Sequence, residues 1–332
     1  MLISRDRLAT LLARAAGMRI AVIGDAMLDV YLRGDVERIS PEAPVPVVRV
    51  RERRRALGGA ANVAQNAAAI GAQTELVAIV GTDGAGEELR QMLGALGAPA
   101  RGLVATGRPT TTKTRIVARG QQLARVDEET DADCTGDEVA ALLAAVERAV
   151  GDADAVVLED YNKGVLVPAV IERALALAQA RGIPVVVDPK YKNFFAYRGA
   201  TVFKPNRREL EAALGAAVDL DHPESLPEVL ARLGCAHLLL TLSERGMALV
   251  SDGAAAVTRI PTTAREVYDV VGAGDTVTAY LAATLAAGAT ATEAAIVSNY
   301  AAGIEVGKLG AATVTPAEIL ELFDSIGPSG TR

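Results

Sequence analysis

The 332-residue chain has a formal net charge of −7, half of its residues are hydrophobic, and only 3% are aromatic, with no Trp. That is enough apolar mass for one large α/β domain with a small appendage. It argues against a stacking platform for single-stranded nucleic acid, and no Lys/Arg block stands clear of acidic residues to form a basic footprint.

Arg5, Asp6, Arg7 and Arg14 among leucines and alanines predict an N-terminal amphipathic helix, not a secretion signal. Arg19-Ile-Ala-Val-Ile-Gly24 then reads as a buried parallel strand. Asp25, Asp29 and Tyr31 follow at its C-terminal end, where open α/β sheets bind ligands. Asp29 is favoured as a ligand residue; Asp25 is either a ligand or a turn former. The run from Ser40 to Val50 alternates and is rich in Pro, which confines it to an edge strand. With 110–119 and 121–126, turning at Gly120, it predicts a small antiparallel lid built from about 31–52 and 103–127. The lid's outer face is expected to pair with a second copy. Arg51, Arg53, Arg54 and Arg55, with Glu52 among them, read as a solvated loop.

Gly58 and Gly59 open a helix of small residues in which Asn62 and Asn66 lie one turn apart. Such a helix mouth receives sugar hydroxyls or packs tightly on a sheet. Strands and helices alternate from there: strand 74–80, helix 85–96, helix 136–149, then Ala155 to Asp160, ending in acids. Tyr161-Asn-Lys-Gly164, a helix over 168–181 and a strand over 183–188 follow, the last running into Asp188-Pro-Lys190. This pattern implies a doubly wound, mainly parallel sheet flanked by helices. The strand Val202–Asn206 leads into a helix on which Asn206 and Glu209 share a face, with the spacing of a capping box. His237 opens an apolar strand that ends in Thr241-Leu-Ser-Glu-Arg-Gly246. In the helix Ala291–Val306, Asn299, Ala302 and Gly303 leave room for an adenine or for helix packing. Pro328–Arg332 read as frayed.

Asp269-Val-Val-Gly-Ala-Gly-Asp275 is an apolar strand end, a glycine turn and an abrupt helix start. Free amides and the helix dipole favour an anion there, and Gly272 and Gly274 remove the side chains that would block it. Asp275 is then an N-cap or the acceptor of a proton from an attacking hydroxyl. A phosphate-binding P-loop and a dinucleotide G-x-G-x-x-G are both missing. Cys134 and Cys235 lie far apart and in no metal spacing, which fits a reduced cytoplasmic protein. With His222 and His237 the only histidines, a histidine metal site and Ser-His-Asp chemistry are disfavoured. No apolar run reaches the roughly 18 residues of a membrane span.

Together, the Gly58–Gly71 and Asp269–Tyr280 stretches resemble the two signatures of the ribokinase-like (PfkB-type) carbohydrate kinases. The resemblance implies an ATP-dependent phosphotransferase with an alcohol acceptor. Asp275 would be the catalytic base, and the Gly272, Ala273 and Gly274 amides the anion hole. Gly58, Gly59 and Asn62 would contact the sugar, with Asp29 and Asp160 beside them. Asn206 and Glu209 would lie near Mg·ATP, Glu209 reaching the metal through water. Thr241, Ser243, Gly246, Asn299, Ala302 and Gly303 would line the nucleotide. A monovalent cation is left open.

The stretches Gly24–Tyr31, Arg38–Val48, Thr112–Arg115, Gln121–Arg125, Asp160–Gly164 and Asp188–Lys190 extend the resemblance to the branch that phosphorylates D-glycero-β-D-manno-heptose 7-phosphate at O1. This branch serves ADP-heptose and lipopolysaccharide synthesis. Arg38, Lys113, Lys163 and Lys190 are the candidates to hold the substrate phosphate. Members are often fused to an adenylyltransferase, and none is expected here. The alternatives are a fructose-6-phosphate or ketohexonate kinase, or a silent sugar sensor. Partners are expected to be a sugar phosphate, ATP and a second copy, without nucleic acid or membrane.

Overall fold

Alternating burial along β1 (Arg19–Gly24) decides the layering. Ile20 and Val22 enter one apolar cluster, while Ala21 and Ile23 enter another on the opposite side, as a period of two requires. A strand buried on both faces needs helices on both, which favours parallel strands joined by helical crossovers. The computed structural model, which describes residues 3–98, 100–219, 226–253 and 257–326, has this arrangement. His222 and Pro328–Arg332 lie outside the described residues.

Beside β1, the main sheet contains β4 (Gln73–Gly81), β5 (Leu103–Thr106), β8 (Ala155–Glu159) and β9 (Val185–Asp188). It continues with β10 (Val202–Phe203), β11 (His237–Thr241), β12 (Met247–Ser251) and β13 (Thr258–Ile260). The strand order is β13-β12-β11-β10-β9-β8-β1-β4-β5, parallel except where β12 and β13 turn back at one edge. One face carries α1 (Arg5–Ala15), α2 (Ala60–Ile70), α3 (Gly84–Ala95), α8 (Ala273–Ala286), α9 (Ala291–Glu305) and α10 (Pro316–Ile326). The other carries α4 (Gly136–Asp152), α5 (Pro168–Arg181), α6 (Arg207–Leu214) and α7 (Leu226–Leu233). The doubly wound, mainly parallel expectation holds.

Most of α8 is buried on every side, from Asp275 to Thr284. An apolar surface all round makes that possible. Its buried hydroxyls stay satisfied by bonding back one turn, Thr278 to the Gly274 carbonyl at 3.0 Å and Thr284 to the Tyr280 carbonyl at 2.6 Å.

A second sheet projects from the C-terminal end of β1. It comprises β2 (Ala26–Ile39), β3 (Pro46–Gly59), β6 (Thr112–Ala118) and β7 (Gln121–Glu128), in the order β3-β2-β6-β7. The hairpins β2–β3 and β6–β7 are antiparallel, but β2 and β6 pair in parallel. Both strands leave the body outward, so they run the same way where they meet. Arg119 and Gly120 both take positive φ in the β6–β7 turn, the twist that suits a two-residue hairpin. Two expectations need correction. Residues 103–106 form β5 at the edge of the main sheet, not part of the lid. The arginines at 51–55 lie on strand β3, not in a loop, with Arg51 paired to Asp35 and Arg55 to Glu88, both at 2.8 Å.

Two glycine substitutions test the close approaches. A Cβ at Gly24 would lie 2.0 Å from the Glu159 carbonyl oxygen, whereas at the exposed Gly94 of α3 it meets nothing within 4 Å. Gly24→Ala should cost about 1–3 kcal/mol of unfolding free energy. Gly94→Ala should add about 0.4–1 kcal/mol. Urea unfolding of the two variants checks the pair.

Candidate active site

Gly272 takes φ +98° and caps α8, whose first intrahelical bond runs from the Thr276 amide to the Gly272 carbonyl at 2.9 Å. The amides ahead of it have no intrahelical partner. A Cβ at Gly272 would lie 3.1 Å from Asn62 Nδ2 and 3.2 Å from Glu305 Oε1, so crowding and the left-handed backbone both call for glycine. Gly274 is exposed to the cleft, and Asp275 behind it is 5% exposed.

Two donors hold the Asp275 carboxylate. Asn62 Nδ2 donates to Oδ2 at 2.7 Å, and Tyr161 Oη donates to Oδ1 at 3.0 Å. The Asn62 amide is itself oriented. Thr276 Oγ1 donates to Asn66 Oδ1 at 3.1 Å, and Asn66 Nδ2 donates to Asn62 Oδ1 at 3.2 Å. This buried relay turns the Asn62 amino group towards Asp275 and gives Asn66 a function as well.

Behind Asp275 lie Glu159 and Asp188, each ending a main-sheet strand, and the three carboxylates offer oxygens within 4.8 Å of one another. Lys204, following β10 and 3% exposed, donates from Nζ to Asp188 Oδ2 at 2.7 Å. Burial, reinforced by the charge on Asp188, lifts the Asp275 pKa to about 6, against the hydrogen bond from Asn62. Glu159 is fully buried with neither oxygen bonded, and burial raises it well above the carboxylate range, so it sits there as the neutral acid. Lys204 supplies the counter-charge that a cation would otherwise bring to this cluster. Glu159, Asp188, Lys204 and Tyr161 were not among the residues singled out from sequence for these positions. The visible signal was a set of charged residues directly abutting apolar strands.

The cleft in front of Asp275 has a volume of about 520 Å³, and every nucleotide residue expected from sequence lines it, with Lys190 and the Gly272–Asp275 turn. Asn206 and Glu209 do form the capping box: Asn206 Oδ1 accepts from the Glu209 amide and Glu209 Oε2 from the Asn206 amide, both at 2.9 Å. The cleft and capping readings are compatible, because each oxygen keeps a lone pair. Lys190 bonds Glu209 Oε1 and lies 5.2 Å above the Tyr161 ring. It therefore stands on the nucleotide side, apart from Lys113 and Lys163. Asn299 Nδ2 donates to the Pro261 carbonyl at 2.8 Å, and a Cβ at Gly303 would lie 2.5 Å from Thr263 Oγ1. These small residues seat the 261–264 loop as well as bordering the cleft. Gly246 takes φ +81° and lets the chain pass the Ile260 carbonyl.

On the lid side, Asp29 pairs with Arg115 at 2.5 Å, and a Cβ at Gly58 would lie 2.8 Å from Asp29 Oδ2. Gly59 takes φ +55° against the Asp25 carbonyl. Asp25 proves to be an anchor: its carboxylate accepts amides from Tyr161, Lys163 and Val165 at 2.8, 2.9 and 3.1 Å. Asp160 is another anchor, accepting Tyr197 Oη and the Asn162 amide, both at 2.7 Å, and it does not line the cleft. Lys113 and Lys163 share Glu129 at 2.8 Å each, and Arg38 is exposed on β2.

This glycine-lined helix mouth, buried carboxylate and cleft at the C-terminal strand ends define a ribokinase-like sugar kinase. The chain belongs to the pfkB family of carbohydrate kinases, whose profile matches residues 18–318. It is 46% identical over 308 residues to the bifunctional protein HldE of Gluconacetobacter diazotrophicus, covering 92% of this chain and 63% of that one. The chain thus spans under two thirds of that relative's length. In fold it is similar to Escherichia coli phosphofructokinase-2 in complex with potassium, with TM-score 0.76, 18% identity and coverage of 93% and 99%. Arabidopsis thaliana ribokinase complexed with ribose and ATP gives 0.73 and 20%, covering 92% and 98%. Among the described residues, no helix is long and apolar enough to cross a membrane.

Lys204→Met should destabilise the fold by about 3–5 kcal/mol at pH 8, because one half of a buried pair is removed. Lys204 has its pKa raised by the carboxylates around it, so its contribution persists throughout the range below the ordinary lysine value. The loss should shrink towards pH 5, as Asp275 binds a proton and no longer needs the counter-charge. Urea unfolding at both pH values measures it; an equal loss at each would mean that Lys204 serves Asp188 alone and offsets none of the Asp275 charge.

Proposed function

We propose that this kinase transfers the γ-phosphoryl of ATP to O1 of D-glycero-β-D-manno-heptose 7-phosphate, giving the 1,7-bisphosphate. The observation that carries the reading is the Asp275 carboxylate, held by Asn62 and Tyr161 one residue behind the exposed Gly274 of the helix mouth. Asp275 takes the proton of the anomeric hydroxyl as that oxygen attacks in line. The Gly272–Gly274 amides stabilise the charge on the transferring phosphoryl, and Lys190 adds a positive charge from the nucleotide side. The lid covers the sugar and keeps water from competing.

Asn206 and Glu209 present oxygens of the kind Mg²⁺ takes, through water, and Mg²⁺ held there would offset phosphate charge. A monovalent cation would find the buried side chain of Glu305 behind Gly272. The sugar choice rests on the 46% identity to HldE. Lys113 and Lys163, tied to Glu129 and facing the lid side, are the preferred grips for the 7-phosphate. Asp29, Gly58, Gly59 and Asn62 border the sugar. The product would feed ADP-heptose and lipopolysaccharide synthesis in the cytoplasm.

An ADP-release assay setting heptose 7-phosphate against hexose 6-phosphates and ketohexonates tests the substrate. Heptose 7-phosphate should give the highest kcat/KM, and preference for another sugar would reject it. No turnover on any sugar would point to a sensor. Asp275→Asn should lower kcat at least about 10²-fold while ATP still binds. In the unaltered enzyme, kcat/KM should fall as pH drops through about 6, where Asp275 gains its proton.

We also infer a homodimer through the lid, where Ile39, Val45, Val50, Leu123 and Val126 are each at least 41% exposed. Light scattering should give twice the chain mass, and Leu123→Glu with Val126→Glu should reduce it to one; a monomeric mass for the unaltered chain would remove the dimer.

A further inference from the structure

Tyr161 was not among the site residues expected from sequence, yet its side chain touches the candidate base. Its hydroxyl donates to Asp275 Oδ1 at 3.0 Å, and the Lys190 ammonium lies 5.2 Å from its ring centroid on the nucleotide side. One side chain therefore spans the base and a cation of the phosphate region.

The loop that carries Tyr161 is tied down on both sides. Asp25, 1% exposed, accepts three of its amides, including that of Tyr161 at 2.8 Å. Asp160, 3% exposed, is fixed by Tyr197 and by the amide of Asn162, which itself takes φ +55°. Two buried carboxylates away from the cleft thus hold one loop, and the hydroxyl of that loop meets Asp275. Aimless packing would not need such restraint.

We propose that Tyr161 is a positioning residue for Asp275, fixing the orientation of its carboxylate and favouring its ionised form. This rests on the reading of Asp275 as the base. The chemistry is direct. A hydrogen bond donated to one carboxylate oxygen favours the ionised form, while the remaining lone pairs stay open to the acceptor hydroxyl. Burial and the adjacent Asp275 hold the Tyr161 phenol well above its usual range, so it remains a donor throughout the working pH. The other groups facing Asp275 are Asn62 from α2, Glu159 from β8, Asp188 from β9, Lys204 beyond β10 and Glu305 from α9. Burial and Asp188 oppose ionisation, and Asn62, Tyr161 and Lys204 favour it.

Tyr161→Phe keeps the ring and removes the donor. Two readouts follow the base: the acid limb of kcat/KM, and the titration of the Asp275 carboxyl by ¹³C NMR, assigned by its absence in Asp275→Asn. Both midpoints should rise by about 1 pH unit, the size expected for one hydrogen bond to a charged group. At pH 8, where the base is ionised in both, kcat should still fall by roughly threefold to tenfold, because one of the two donors that orient the carboxylate is gone. Midpoints that do not move overturn the inference, whether activity is kept or lost equally at all pH values. The NMR titration needs no turnover, so it stands even if the proposed substrate is wrong. Near-normal turnover in Asp275→Asn would instead reject the base assignment, which separates the two failures.

Discussion

A carboxylate that is to take a proton from a sugar hydroxyl must be shielded from water and still be ionised before the substrate arrives. These demands conflict, because burial favours the neutral acid. At Asp275 the conflict is sharpened by Glu159 and Asp188, whose oxygens lie within 4.8 Å of its own. It is relieved in three ways. Glu159 stays protonated, Lys204 offsets Asp188 at 2.7 Å, and Asn62 and Tyr161 donate one hydrogen bond to each oxygen of Asp275. The outcome is a base poised near pH 6, low enough to be ionised at neutral pH and high enough to accept a proton.

The fold brings these groups together because parallel strands all end at the same edge of the sheet. Glu159 and Asp188 terminate adjacent strands, and Lys204 follows the next one over. The helices that complete the site arrive from one face. Their mouths carry Gly59 and Gly272, and the buried Thr276–Asn66–Asn62 relay joins the two helices through to Asp275. Small residues on both helices permit that closeness, so the helix packing and the orientation of the base are one arrangement.

The sheet architecture and the glycine turns were legible in the sequence because they follow from local rules. Apolar runs with helical spacers imply parallel strands, and Gly-Ala-Gly-Asp has backbone meaning by itself. Asn206 and Glu209 show that a capping box and a place in the cleft need not compete. The charge balance was not legible. Lys204 reads as an ordinary lysine until Asp188 is seen to meet it, and the tie between Asp160 and Tyr197, 37 residues further on, shows only in the fold. Lid pairing was missed in part for a similar reason, since the direction in which β6 joins β2 is set by where both leave the body.

A crystal structure with sugar phosphate, Mg²⁺ and a non-hydrolysable ATP analogue bound together tests the central claim most directly. The account predicts the acceptor oxygen within about 2.6–3.2 Å of an Asp275 carboxylate oxygen, with the γ-phosphate seated on the Gly272–Gly274 amides. An acceptor oxygen bound elsewhere, with Asp275 still satisfied only by Asn62 and Tyr161, would contradict it.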